Sequence, residues 1–463
     1  MDAKDKRIAE LEALLKAALE RIATLEAEVA ALKKNSSNSS KPPSSDIVKP
    51  PPQSQNVKPN GKKRKRGAQK GHKQHLRTPF DETKIDDVVE LKLNACPTCG
   101  GKLTLSNEPP KKHQQVELVD KPFIVTEFHQ AMYWCEHCRC YHYSELPPEV
   151  AKAGLFGSKF ISLAAYLKGR GHMSYTTLKD FFDDALGISV SRGFLAKQVH
   201  NVSNSLEIPH QKLLDRLPHE KHLHIDETGG KENGEKRWTW LLRALDFTVF
   251  HINPSRGSIV LENLLGTDFA GIISCDFWGA YKKFERMTSA ELQLCWAHLI
   301  REIKFLAESK DKSVARYGRR LLKKIREMFS TIHRRDDLLE RNGLCRMRSH
   351  QNAILKVAWG TIPANKDAIN IAERLWNWCN EYFRFIETDI PPTNNLAEQT
   401  VRRVVIDRKV TQGTRSDWGN RWQERFWSVL STCEQQGTNV MSFLKSCVES
   451  FLHGLPPPLI IPK

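Results

Sequence analysis

Three patterns of apolar and polar positions run along the 463-residue chain. In the first, Ile8, Leu11, Leu15, Ala18, Ile22, Leu25, Val29 and Leu32 recur at alternating spacings of three and four, with no Gly or Pro between them. That is a heptad seam with Ile or Val at most a positions, and it predicts a coiled-coil helix over residues 1–34. The g residues Arg7, Leu14, Arg21 and Glu28 meet the e residues Glu12, Leu19, Glu26 and Lys33 of a parallel partner as opposite charges or apolar pairs. A parallel homodimer follows. The alternative, an amphipathic helix packed on its own domain, lacks anything nearby to pack against.

The second pattern is helical. Phe160–Leu167 is apolar on one face, Thr176–Leu186 follows, and Gly187-Ile188-Ser189-Val190 reads as a turn. Ser191 can N-cap a further helix through Val199. Helix, Gly-containing turn and helix outline a helix-turn-helix over residues 149–218, with Ser191, Arg192 and Lys197 as candidate DNA contacts. An ordinary helical hairpin shares that outline.

The third pattern is strand-like. Leu223 and Ile225 alternate with polar neighbours; Asp226 follows where the strand is expected to end, and Glu227-Thr228-Gly229-Gly230 reads as a turn. Arg237–Leu245 and Phe247–Ile252 predict two more strands, and Ser258–Leu265 a short helix. Gly271–Cys275 is an apolar run ending at Asp276, Leu292–Cys295 a fifth strand, and Trp296–Leu306 a helix. Three strands, a helix and another strand carrying an Asp is the order of a ribonuclease-H-like α/β core, here residues 219–306 and 391–436. Residues 307–390 are helical in pattern and rich in Arg and Lys, a helical insertion; 437–463 reads as a helical tail. Pro391-Pro392-Thr393-Asn394-Asn395 stops the chain and caps a helix whose first turn holds Glu398, with Arg402 one turn on. The predicted architecture is therefore multidomain, mixed α and α/β.

Composition adds a partner. The chain has 71 Lys+Arg against 54 Asp+Glu, a net charge of +17, which favours a polyanion such as nucleic acid. Residues 35–80 are dominated by Ser, Asn, Pro and Lys, a composition that predicts a disordered linker. Within it Lys62, Lys63, Arg64, Lys65 and Arg66 form a basic arm suited to phosphates; a purely solubilising linker is the alternative. No apolar run is long enough to span a bilayer, so no membrane role is expected. No signal-peptide pattern opens the chain, so a cytoplasmic location is expected.

Cysteines add a metal. Cys96 and Cys99 (CPTCG) and Cys135 and Cys138 (CEHC) are two Cys-x-x-Cys pairs within residues 81–148, the pattern of a closed structural Zn²⁺ site. Val116-Glu117-Leu118 and Phe123-Ile124-Val125 predict the strands of a zinc ribbon. Cys140, His137 and His142 leave the ligands of the second pair open, and buried free cysteines are the alternative reading.

The acids add chemistry. Asp226, Asp276 and Glu398 lie at element ends in the predicted order, and three carboxylates suit two Mg²⁺ (or Mn²⁺) ions for phosphoryl transfer. Each acid alone has a capping or solvation explanation; the case rests on the ordered set.

These motifs resemble bacterial insertion-sequence transposases of the IS 66 type, of the DDE class. The resemblance runs through NSSNSSKPPSSD, GKKRKRGAQKGH, CPTCG and CEHC, HIDET, CDFWGAYKKF, CWAHLIREI, PPTNNLAEQTVRRVVIDRKV and STCEQQGTN. It implies DNA transposition, with element ends cut and their 3′-hydroxyls joined to target DNA. It also implies Asp226, Asp276 and Glu398 as the catalytic, metal-binding triad, and Cys295 and His298 as a supporting Cys-x-x-His element. Element-encoded accessory proteins and a nucleoid-associated location are further implications. Arg402 and Arg403 either steady phosphates or pair with nearby acids. Two other readings compete: a DNA-binding regulator with an inactive core, and a structure-selective nuclease that never joins strands.

Overall fold

The structure is a computed structural model that describes residues 12, 15–22, 79–91, 93, 97–102, 112–116, 118, 119, 121–332 and 341–460. The chain divides into two compact units, residues 55–128 and residues 1–54 with 129–463. Most of the predicted coiled coil, the basic arm Lys62–Arg66 and Cys96 lie outside the described residues. Within the coiled-coil segment, residues 15–22 are helical (α1), with Leu15, Leu19 and Ile22 exposed.

In the unit 55–128, Asp81 caps a single 3₁₀ turn, Glu82–Lys84, and the Gln114 side chain bonds both the N–H and the C=O of Phe80. Pro97–Cys99 form a turn closed by Gly100 at φ 75°. The strands predicted around Val116–Leu118 and Phe123–Val125 are absent among the described residues, where Leu118 and Ile124 are exposed. Apolar alternation over three residues does not hold a strand without a partner edge.

The larger unit opens with a hairpin, β1 (Met132–Cys135) against β2 (Cys140–Tyr143), in which Cys135 faces Cys140. Helices α2 (Pro148–Ala153), α3 (Ser158–Gly169), α4 (Tyr175–Leu186), α5 (Arg192–Ser205) and α6 (Glu207–Arg216) follow. Gly187 ends α4 at φ 64°, and the Ser191 hydroxyl accepts the Phe194 N–H to start α5.

The sheet contains β3 (His222–Glu232), β4 (Glu235–Arg243), β5 (Thr248–Asn253), β6 (Ile272–Cys275) and β7 (Glu291–Leu294), in the order β5-β4-β3-β6-β7. The first three strands are an antiparallel meander, and β6 and β7 run parallel to β3. Helices α7 (Ile259–Leu265), α8 (Gly279–Met287) and α9 (Trp296–Ala307) lie between and after these strands. Then come α10 (Lys312–Ile332), α11 (Arg341–Ala358), α12 (Lys366–Asn377) and α13 (Cys379–Phe383). The chain ends in α14 (Asn395–Thr411), α15 (Asp417–Gln436) and α16 (Val440–His453).

Asp226 does not sit at the end of its strand. β3 continues through Glu227-Thr228-Gly229-Gly230 to Glu232, and the turn falls at Asn233-Gly234, with φ 48° and 92°. Both turn residues have positive φ, as a two-residue hairpin requires, and Asn-Gly is the pair that tolerates it best. What ends at Asp226 is the pairing on the other side, because β6 faces β3 only from His222 to His224.

Both faces of the sheet are covered. Leu223, Ile225, Trp240, Leu242, Ile273 and Leu292 pack with α8, α9 and the helices of 312–390 in one apolar cluster. Leu241 and Phe250 point the other way, into a cluster built from α3, α5, α14, α15 and α16. No helix among the described residues is long and apolar enough to cross a membrane.

Candidate active site and metal centres

Strand register brings the two aspartates together. His224 lies opposite Ser274 on parallel strands, so Asp226 and Asp276, each two residues further on, stand at the same level where β6 ends and β3 runs on. Neighbouring strands run ~5 Å apart. Asp226 Oδ1 accepts the N–H of Glu227 at 2.9 Å, and Asp276 Oδ1 accepts the N–H of Trp278 at 2.9 Å. Each carboxylate thus has one oxygen oriented by the backbone beside it.

Glu398 comes from α14, and Asn394 carries it to the sheet. The Asn394 side chain is buried; its amide donates to Ile225 C=O at 2.7 Å and its oxygen lies 3.0 Å from His224 Nδ1. Its backbone N–H donates to Cys295 Sγ at 3.1 Å, and its C=O accepts the N–H of Glu398 at 3.2 Å. One residue therefore joins the neighbour of Asp226, the start of α9 and the first turn of α14. The expected side-chain cap is not made, although Asn394 occupies the N-cap position. Its amide is used on the sheet instead, where an unpaired strand carbonyl would cost ~1–3 kcal/mol.

Around Glu398, the Arg301 guanidinium donates to Oε1 at 3.3 Å, and His298 Nδ1 lies 3.4 Å from the same oxygen without making a hydrogen bond. Donor atoms of Cys295, His298 and Glu398 all fall within 4.8 Å of one another. Asp226, Asp276 and Glu398 do not form so tight a cluster among the described residues.

The carboxylates repel one another. Burial raises the Asp226 carboxyl well above its usual range, and Glu227, Asp276 and Glu398 raise it further. Asp276 is pushed up to about 7, chiefly by burial and then by Glu227, while the Trp278 N–H and Arg256 oppose the rise. All-oxygen donors carrying excess negative charge fit a hard divalent cation, which would relieve that repulsion. His298 is pushed down to about 3 by burial with Arg301 and Arg374 nearby, and stays neutral.

A fourth carboxylate, Glu227, is missed by the sequence reading. Its side chain is 1% exposed and accepts from Arg256 (2.8 Å from Nε) and from the Tyr281 hydroxyl (2.5 Å). Arg256 is stacked between Trp238 and Trp278, 4.6 and 3.9 Å from their ring centres. The signal was Asn233-Gly234: with the turn there, β3 alternation turns Glu227 toward the core, where an acid needs a partner.

A second donor set lies on the β1–β2 hairpin. Cys138 Sγ is 3.3 Å from His142 Nε2; Cys140 Sγ is 3.2 Å from His142 Nε2 and 3.4 Å from Cys138 Sγ. Cys135, Cys138 and His142 offer donors within 4.8 Å of one another. Ion–donor bonds of 2.0–2.3 Å put tetrahedral zinc ligands ~3.5 Å apart, so this Cys/His set is a possible metal site. The N–H and thiol of Cys138 hold the Cys135 thiol below its ordinary value, while the contacts with Cys135 and Cys140 raise the Cys138 thiol, so one thiolate of the pair is favoured over two. Cys99 belongs to the other unit.

Residues 153–421, more than half of the chain, match the transposase IS66 family. The chain belongs to that family. Its known type is the DDE class, and the matched span holds Asp226, Asp276 and Glu398. Residues 2–78 match a family of unknown function (DUF6444). An uncharacterized protein, y4qI, of Sinorhizobium fredii (strain NBRC 101917 / NGR234) is similar at 22% identity over 502 residues, covering 97% of this chain and 89% of that protein.

The positions expected to meet DNA in this IS66-family chain fall into different settings. Ser191, Arg192 and Lys197 are exposed on and beside α5. Arg402 is exposed on α14, whereas Arg403 donates to Glu434 at 2.7 Å.

Proposed function

We propose that this transposase cuts the ends of its mobile element with divalent metal ions and joins the freed 3′-hydroxyls to target DNA. Asp226, Asp276 and Glu398 are its catalytic carboxylates, on a ribonuclease-H-like core. The observation that carries the reading is the register of β3 and β6, which sets Asp226 beside Asp276, together with the Asn394 bridge that ties Glu398 to the same strand. Two Mg²⁺ or Mn²⁺ ions held there would activate water or a 3′-hydroxyl and stabilise the leaving oxygen. The chain's own groups do the rest. The N–H groups of Glu227 and Trp278 hold one oxygen of each aspartate, and Arg301 and His298 flank Glu398. Cys295, 3% exposed and bonded to the Asn394 N–H, is a positioning residue.

Zn²⁺ is assigned to the Cys-x-x-Cys module, with His142 and Cys140 joining the candidates Cys96, Cys99, Cys135 and Cys138. The basic arm Lys62–Arg66, with Arg192, Lys197 and Arg402, is assigned to DNA, and Arg403 to holding α14 on α15. A parallel coiled coil over 1–34 would pair two copies, as a reaction on two DNA ends needs.

The test uses the purified full chain, a duplex carrying the element's ends, and Mg²⁺ or Mn²⁺. Nicked and strand-transferred products are expected, with both lost in Asp226→Asn while DNA binding remains. Binding without any cleavage by the parent protein would replace this reading with that of a regulator. Cleavage without joining from a pre-nicked end would make it a nuclease.

A further inference from the structure

Helix α10, outside the proposed active site, carries one face that is almost wholly cationic. Its apolar side, with Val314, Tyr317, Leu321, Leu322, Ile325 and Met328, is packed in the core. Gly318 sits where α10 crosses the end of α9: a Cβ there would come within 2.5 Å of the Ala307 nitrogen. That close crossing fixes which face points out. From residue 316 to 326 every exposed position is Arg or Lys: Arg316, Arg319, Arg320, Lys323 and Arg326. No ion pair joins these five to an acid among the described residues. The acid that follows this stretch, Glu327, is half-buried and taken by Lys324 at 2.8 Å. Near the helix's C-terminal end, Lys323, Arg326, Glu327, Ser330 and Thr331 line a shallow depression of about 450 Å³. The adjoining helix adds Arg346, exposed and close enough to His350 to disfavour its charged form.

A solvated protein face ordinarily mixes both signs of charge. Five like charges with no acid among them raise the energy of the isolated chain, and a polyanion lowers it again. We infer that this face of α10 is a second DNA-binding surface, which grips the phosphate backbone of duplex DNA without reading its sequence. The inference rests on the proposed function for its choice of polyanion. Three features select duplex phosphates. Arg316 to Arg326 spans ~15 Å of helix, the length of about four phosphates on one strand. No aromatic side chain is interleaved, so the stacking platform of a single-strand site is missing. The apolar face of the helix is buried in the core rather than free, as a membrane-surface helix requires.

The test compares the full-length protein with a variant carrying Arg316→Gln, Arg319→Gln, Lys323→Gln and Arg326→Gln. All four positions are exposed, and an unchanged melting temperature verifies the fold. Binding to a random-sequence duplex is measured by anisotropy over a salt series. The slope of log K against log salt should become shallower by roughly 3.6, since each of the four phosphate contacts contributes ~0.9. A variant with Lys in place of the three Arg residues should restore the parent slope. A quadruple variant whose slope stays within 1 of the parent overturns the inference, while element-end cleavage by both proteins leaves the proposed function standing. Loss of binding to phosphatidylserine vesicles with an unchanged DNA slope overturns it in favour of a membrane surface. A parent protein that binds no DNA overturns both.

Discussion

The hairpin Cys/His cluster and the carboxylate site are two candidate metal centres built by opposite means. The donors Cys135, Cys138, Cys140 and His142 lie within one hairpin on exposed strands, and a four-residue loop sets their spacing. The carboxylates come from β3, the end of β6 and α14, and a buried core holds them. The Asn394 amide reaches Ile225, 169 residues away, and closes that frame. A cluster made by local chain geometry with little apolar burial depends on its ion for stability. A cluster made by a core exists without the ion and bears the repulsion of its own charges. An ion would be structural in the first case and would relieve charge repulsion in the second.

The largest expected effect breaks the second centre. Asp226→Asn, Asp276→Asn and Glu398→Gln should each lower strand transfer by about 10³-fold or more, a loss of several kcal/mol of transition-state stabilisation. DNA binding should stay within a few fold. Variants that keep a tenth of the parent rate would remove these residues from the chemistry.

Asn394→Ala tests the frame rather than the donors. It strips partners from Ile225 C=O, His224 and, through the altered turn, Cys295. Stability should fall by roughly 2–4 kcal/mol. Strand transfer should drop ~10²-fold in rate with little change in DNA affinity, as expected when catalytic groups are displaced. A stability loss with an unaltered rate would show that Asn394 braces the sheet without positioning Glu398.

For the hairpin, Cys138→Ser or His142→Ala should abolish bound zinc, measured by metal analysis. The fluorescence of Trp134, beside Cys135 on β1, should change as well. The main melting transition should shift little, because β1 and β2 are exposed and share no apolar cluster with the sheet. A fall of the main transition would mean that the hairpin supports the core.

The smallest effect is a pH dependence. Asp276 titrates near 7 in the folded chain against an ordinary 3.8, so the folded state holds a proton that the unfolded state releases between these values. Its contribution to stability therefore falls as pH rises from about 4 to 7 and levels off above. Mg²⁺ must compete with that proton, so its gain in melting temperature should be larger at pH 8 than at pH 5.5. In the metal-free protein at pH 8, Asp276→Asn should melt above the parent. Equal Mg²⁺ shifts at both pH values would place the ion elsewhere.

Much of the layout was legible along the chain. All five strands of the sheet, the α7 segment and the start of α9 follow from apolar runs and their breaks. Ser191 caps α5, and Glu398 lies in the first turn of α14 as its sequence suggests. The reading failed where two local signals competed. Gly229-Gly230 suggests the turn that Asn233-Gly234 makes, which places Glu227 in a loop rather than on the strand. Three-residue alternations near Val116 and Phe123 suggest strands, yet the described residues there form none, because so short a run fixes little by itself.

The sequence by itself determined which residues carry chemistry and which elements bear them, because period, capping and turn preferences act over a few residues. Tertiary structure alone decided how far β6 runs beside β3, and so that Asp226 has a paired strand on one side only. It also decided that Asn394 spends its amide on Ile225 rather than on its own helix, and that Glu227 meets Arg256 and Tyr281. Those outcomes depend on which buried groups lack partners once the sheet and helices pack. That balance exists only in the folded chain.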